Sequence, residues 1–390
     1  MNLTISEVEA RWIRCPIPEE RQHVSDFGRT ETFDMALVCI RSEDGLEGFG
    51  EAKGSVGSAG DCASLVTCVQ HELGPRLIGH DGRQITRAWE TLYNGTRDHY
   101  ARARGRGFPA LGRRGITVAA MGAIDIALHD LVGKALGVPV VQLLGGSCRD
   151  RMPAYASGGW ADADGIGPQL ESYTQQGFTA VKMRVGAMDG TVDVSVERVR
   201  AARAHLGRSI DIMVDSHGTF SVAEAKRFAH EVEDCGLRWF EEPVNADDRV
   251  GLAEVRAATS IPIAAGESEF TRFDFLELLR AGAVDVLQPD TAIVGGITEA
   301  RRIGELASAF QRELAPHLWG SALSFAAGLH VAFACPAAAI LEYSLGDNPL
   351  LHDLVQEDLR PTEGVFEAPA APGLGVTPDA AFIEEHTMRP

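Results

Sequence analysis

At 390 residues, 45% hydrophobic and 23% charged, the chain is long enough for two globular units and too apolar for disorder. Its 36 basic and 55 acidic residues leave a formal charge of −19, which repels nucleic-acid phosphates and anionic lipid and excludes both as partners. Seven scattered cysteines, none in a CxxC spacing, exclude a disulfide framework and a zinc site.

The N-terminus runs straight into strand-like sequence, so no signal peptide is expected and the protein is assigned to the cytoplasm. Residues 1 to about 60 alternate apolar and polar, as in Met35-Ala36-Leu37-Val38-Cys39-Ile40-Arg41 before the Asp44-Gly45 turn, which predicts an antiparallel meander. From about 62 to 136 the period lengthens toward 3.6, with Val118, Met121, Ile124, Ala127, Leu128 and Leu131 on one helical stripe and Asp125 and Asp130 among them. The longest apolar runs, such as Thr117 to Leu128, are broken before the ~20 residues a membrane span requires, so no span is predicted. Residues 1–135 are therefore expected to form an α+β cap.

From Pro153 onward short apolar runs alternate with helical stretches about every 25 residues. The runs are at 154–156, 180–183, 210–214, 238–240, 263–265, 284–287, 314–316 and 339–341, and a helix over 222–232 is predicted to start at the cap Ser221. Eight such units predict an α/β fold of the (β/α)8 barrel type over residues 150–342, with 343–390 packing back on the cap.

The chemistry lies in what ends each run: Lys182, Asp215, Glu241, Glu267, Asp290, His317 and Glu342. In a barrel the C-terminal strand ends converge on one mouth. Asp215, Glu241 and Glu267 are each 26 residues apart, at equivalent positions on three consecutive strands. Three carboxylates that close require a cation between them, and all-oxygen ligation points to Mg²⁺. Glu242 is adjacent, and only the equal spacing gives Glu241 priority. Asp290 and His317 end neighbouring strands, so a carboxylate–imidazole hydrogen bond would make His317 a competent general base. Trp160, just past the first run, is a candidate pocket wall, and Arg21, His23, Gly54 and Gly57 fall in two cap loops placed to close over the mouth. The basic stretch Arg97, His99, Arg102, Arg104, Arg106, Arg113, Arg114 reads as a solvated face.

The segments Val181-Lys182-Met183-Arg184, Val214-Asp215-Ser216-His217, Phe240-Glu241-Glu242-Pro243, Ala265-Gly266-Glu267, Gln288-Pro289-Asp290 and Pro316-His317-Leu318 stand in the order and approximate spacing of the mandelate racemase subgroup of the enolase superfamily, which the whole chain resembles. The resemblance implies that Asp215, Glu241 and Glu267 ligate Mg²⁺, that the Asp290–His317 pair acts on an α-proton, and that Glu342 helps support the resulting enolate. Lys182-Met183-Arg184 departs from the subgroup's common Lys-x-Lys; Arg184 stays protonated and is a carboxylate clamp, not a second base. Lys182 either offsets the substrate carboxylate or pairs with a metal-ligand acid. Asp215-Ser216-His217 resembles the Asp-x-His of galactonate and mannonate dehydratases, which makes His217 the acid for a departing hydroxyl. The expected activity is a sugar-acid dehydratase yielding a 2-keto-3-deoxy acid; the alternative is a racemase, epimerase or cycloisomerase sharing the enolate. A small-molecule sugar acid and further copies of the chain, as a homo-oligomer, are the expected partners.

Overall fold

The protein is described from a computed structural model over residues 1–22, 24–26, 28–54, 62–95, 103–105 and 112–388. Strands β1 (Ile5–Pro16), β4 (Thr32–Ser42) and β5 (Glu47–Ala52) form the expected antiparallel meander in the order β1-β4-β5. The turn after β4 is closed by Gly45 at φ 78°, whose N–H donates to Ser42 O over 2.9 Å. Between β1 and β4 a small hairpin, β2 (Val24–Ser25) and β3 (Gly28–Arg29), projects from the sheet.

The helix Ile116–Leu136 lies directly on β5. A Cβ at Gly48 would sit 2.1 Å from Ala127 O, and one at Gly50 2.1 Å from Ala123 O, so only glycine permits this backbone-to-backbone approach. The helix carries the expected stripe and ends at Leu136, but it departs from the sequence reading in one way: it is long and apolar enough to cross a membrane by length and composition, yet 89% of its apolar window is buried in the fold. Burial reaches all round it because the meander covers one side and the barrel helix Gly296–Ala309 another. The buried acids are satisfied mainly by other segments. Asp125 accepts from Thr298 N and Oγ1, and Asp130 accepts from Phe49 N, Leu374 N and Lys134 Nζ.

Eight parallel strands follow: β6 (Arg151–Ser157), β7 (Ala180–Arg184), β8 (Asp211–Asp215), β9 (Phe240–Glu241), β10 (Ile263–Ala265), β11 (Val286–Leu287), β12 (Glu313–Leu314) and β13 (Leu341–Ser344). They pair in the order β12-β11-β10-β9-β8-β7-β6-β13, and a parallel bridge from Leu314 to Ala338 brings the two ends together. Tyr155, Ala180, Met213, Trp239, Ala264, Val286, Ala315 and Ile340, one from each strand region, form a separate buried layer, so the barrel interior is packed. The mouth therefore has a solid apolar floor. The helix Val222–Val232 starts at the predicted Ser221, in a capping box with Glu224. In the C-terminal stretch β14 (Val365–Glu367) pairs antiparallel with β6, and Met388 N donates to Trp12 O on β1 over 2.8 Å.

Candidate active site

Asp215 and Glu241 are the last residues of β8 and β9 and pair directly across the sheet. Glu267 is not at the equivalent position: Glu241 pairs with Ala264, three residues earlier, so Glu267 reaches the site from the loop beyond β10. The carboxylates still converge, with one oxygen of each within 4.8 Å of the others, and all three side chains are buried. Lys182 and Glu342 correct the sequence reading in another way. They lie inside β7 and β13, below the rim, because these two strands extend past them to Arg184 and Ser344.

That depth decides what Lys182 touches. Its fully buried amine pairs with Glu241 Oε1, with Glu342 Oε1 at 3.0 Å and with Asp215 Oδ2 at 3.3 Å. Burial opposes its charge, but Glu241 and Glu342 outweigh burial and hold the amine protonated. Burial likewise opposes the charge of Glu241, and Lys182 reverses the effect, keeping that carboxyl below its usual range. Glu342 is also held low against burial by Lys182, and its Oε2 accepts from Leu318 N over 2.9 Å. Arg184, the expected clamp, turns its guanidinium onto Asp215 and lies 5.5 Å over the Trp319 ring. Trp319 packs edge-on against Trp160, with centroids 6.2 Å apart.

Glu267 makes no ion pair with a lysine or arginine among the described residues. Burial, then Glu242 and Glu241, raises its carboxyl well above the usual range, and among the described residues nothing donates to its Oε1. Glu242 is pushed up to about 8 by burial and then by Glu241. Three buried carboxylates, one of them with an oxygen to which nothing among the described residues donates, fit a hard divalent cation held by oxygen, as Mg²⁺ is.

Two imidazoles flank the carboxylates. His317, on the loop after β12, donates from Nδ1 to Asp290 Oδ2 over 2.7 Å, and its Nε2 is 3.5 Å from Glu267 Oε2. Burial opposes the Asp290 charge, but Lys53 and the His317 hydrogen bond overcome it. His217, two residues past Asp215, has backbone φ 45° and donates from its N–H to Asp215 Oδ1 over 3.0 Å. Its Nε2 is 3.5 Å from Asp215 Oδ2 and its Nδ1 is 3.0 Å from Asp26 Oδ2. Burial, then Arg184, lowers its pKa to about 4 against the Asp26 hydrogen bond.

Sequence reasoning overlooked two residues here. Lys53 Nζ donates over 2.6 Å both to Asp290 Oδ2 and to Trp319 O. It sits in one of the two cap loops singled out in the sequence, beside Gly54, yet nothing local marks it. Asp26 lies in the other, near the chosen Arg21 and His23. The side chain of Arg21, and His23 itself, lie outside the described residues, as do Gly57, Arg97, His99, Arg102 and Arg106. Of the rest of the basic stretch, Arg104 is exposed, Arg113 donates to Tyr93 O over 2.6 Å, and the exposed Arg114 pairs with Asp274 at 2.7 Å.

Comparison with known proteins agrees with this geometry. Residues 9–145 match the family described as mandelate racemase / muconate lactonizing enzyme, N-terminal domain, and residues 167–382 the family described as enolase C-terminal domain-like. The chain is 37% identical to a D-galactonate dehydratase of Ralstonia nicotianae, over 90% of each protein. It is 32% identical to a D-galactarolactone cycloisomerase of Agrobacterium fabrum, over 90% of this chain and 91% of that one. A solved racemase from Streptomyces coelicolor with bound magnesium superposes with a TM-score of 0.85 at 30% identity, covering 98% of this chain and all of that one (100%). The chain therefore belongs to the enolase superfamily, within the mandelate racemase and muconate lactonizing enzyme family.

Proposed function

We propose that this protein is a Mg²⁺-dependent hydro-lyase that converts a sugar acid into a 2-keto-3-deoxy acid. The observation that carries the reading is the pair of imidazoles beside one acidic triad, each with Nε2 at 3.5 Å from a different triad carboxylate. Asp215, Glu241 and Glu267 would hold the ion; once bound, it supplies positive charge near the substrate carboxylate, without which an α-proton is barely acidic.

His317, its Nδ1 on Asp290, is the base that takes the C2 proton through Nε2. His217 is the acid: as the C3–O bond breaks, the departing oxygen takes a proton from its Nε2 and leaves as water. The enol that remains takes a proton at C3 and gives up the proton of its C2 hydroxyl, which leaves the keto acid. For His217 to be charged at that moment, something must offset Arg184 and burial. The anionic substrate does so, because its carboxylate beside Arg184 and Lys182 cancels the charges that disfavour the imidazolium. Arg184 orients that carboxylate and is no base, so no second proton acceptor stands at its position. Trp160 and Trp319 wall the pocket, and Glu342 holds Lys182 and the loop at Leu318 in place. Substrate contacts from Arg21 and His23 belong to the same reading.

The similarity to a lactone cycloisomerase favours one alternative, in which the same base acts but no water is lost. A library of mono- and diacid sugars incubated with Mg²⁺ separates the two. Keto acid trapped as a semicarbazone supports dehydration; C2 deuterium exchange or lactone conversion with no keto acid overturns it.

A further inference from the structure

The barrel supplies both partners of the Asp290–His317 pair, but it supplies only half of the pair at His217. We propose that Asp26, on the turn of the β2–β3 hairpin, is the positioning residue of His217, so that the cap completes the leaving-group acid. This rests on the dehydratase reading above for what His217 does.

The carboxylate of Asp26 is fully buried, although the hairpin that carries it is exposed at Val24 and Gly28. Both oxygens are engaged. Oδ1 accepts from Met188 N over 2.6 Å, in the short turn Ala187–Asp189 after β7, and Oδ2 accepts from His217 Nδ1 over 3.0 Å. Asp26 is thus wedged between the loops that leave β7 and β8. A carboxylate accepts only, so the proton of the ring sits on Nδ1 and Nε2 is the nitrogen presented beside Asp215.

The arrangement repeats the one at His317. In both, a carboxylate takes Nδ1 and Nε2 stands 3.5 Å from a triad carboxylate. The backbone of His217 is fixed independently, by Asp215 on its own N–H and by Gly218 N donating to Glu242 O over 2.7 Å. What Asp26 adds is therefore the tautomer and rotation of the ring.

The test compares D26N with H217N in the full-length protein with Mg²⁺. Asparagine offers one acceptor oxygen where two are used, so it cannot serve Met188 N and His217 Nδ1 together. We expect D26N to lower kcat for dehydration by about 100-fold with KM within about threefold, while C2 deuterium exchange stays within about threefold of the parent. Parallel loss of exchange and dehydration, or unchanged dehydration, overturns the proposal. A readout free of turnover uses ¹⁵N-histidine spectra of metal-free protein, with the His217 signals assigned by their loss in H217N. The ring should be protonated at Nδ1 in the parent, and D26N should shift that tautomer; an unprotonated Nδ1 in the parent, or an unchanged spectrum in D26N, overturns the proposal. If the parent yields no keto acid from any sugar acid, the dehydratase reading fails, and the spectra still decide whether Asp26 sets the ring.

Discussion

His317 and His217 stand beside the same acidic triad with matching geometry, but their carboxylate partners come from different places. Asp290 lies on the loop just past β11, the strand next to the one that leads to His317, and is held by Ala292 N at 2.8 Å and Lys53 Nζ at 2.6 Å. Asp26 arrives from a hairpin 191 residues away and is held by one backbone N–H of the barrel. The difference teaches that the proposed base takes its carboxylate from the barrel, with the cap adding only Lys53 behind it, whereas the proposed leaving-group acid takes its carboxylate from the cap itself.

Removing the feature common to both sides should have the largest effect. E267Q is expected to lower C2 exchange and dehydration together by at least about 10³-fold and to abolish Mg²⁺ binding in calorimetry. If exchange survives in E267Q, the two histidines do not share a centre. Next, H317N should abolish exchange and dehydration alike by about 10³-fold, whereas H217N should cut dehydration by about 10²-fold or more and leave exchange intact. Equal losses in the two variants would erase the contrast between them.

The cap also reaches the His317 side, through Lys53. K53M leaves Asp290 buried without its ammonium partner, and urea unfolding should show a loss of about 3 kcal/mol. A loss below about 1 kcal/mol would mean that this contact does not bind cap to barrel.

The smallest effect sets the pH range in which the comparison can be read. His330 accepts from Val141 N over 3.0 Å and is 3.2 Å from Leu374 O, and burial lowers its pKa to about 4. At neutral pH the ring is uncharged in both folded and unfolded chains. As pH falls from about 6.5 toward 4 only the unfolded chain takes up that proton, so this site costs stability by up to about 1.4 kcal/mol per pH unit. Urea midpoints measured from pH 7 to pH 5 should fall, and replacing His330 with glutamine should flatten the fall.

The chain itself determined the barrel, because each strand is a short apolar run between helical stretches, and burial of a local run leaves a local pattern. It also determined the seven ionisable residues near the mouth, since strand ends inherit their direction from the fold class. Their depth was not legible: Lys182 and Glu342 sit inside strands and Glu267 beyond one, because strand length is set by pairing with neighbours. Nor were Lys53 and Asp26, whose partners lie 237 and 191 residues away. Only docking of the cap on the barrel brings those charges to the two imidazoles, and a contact between distant segments leaves no periodicity in either one.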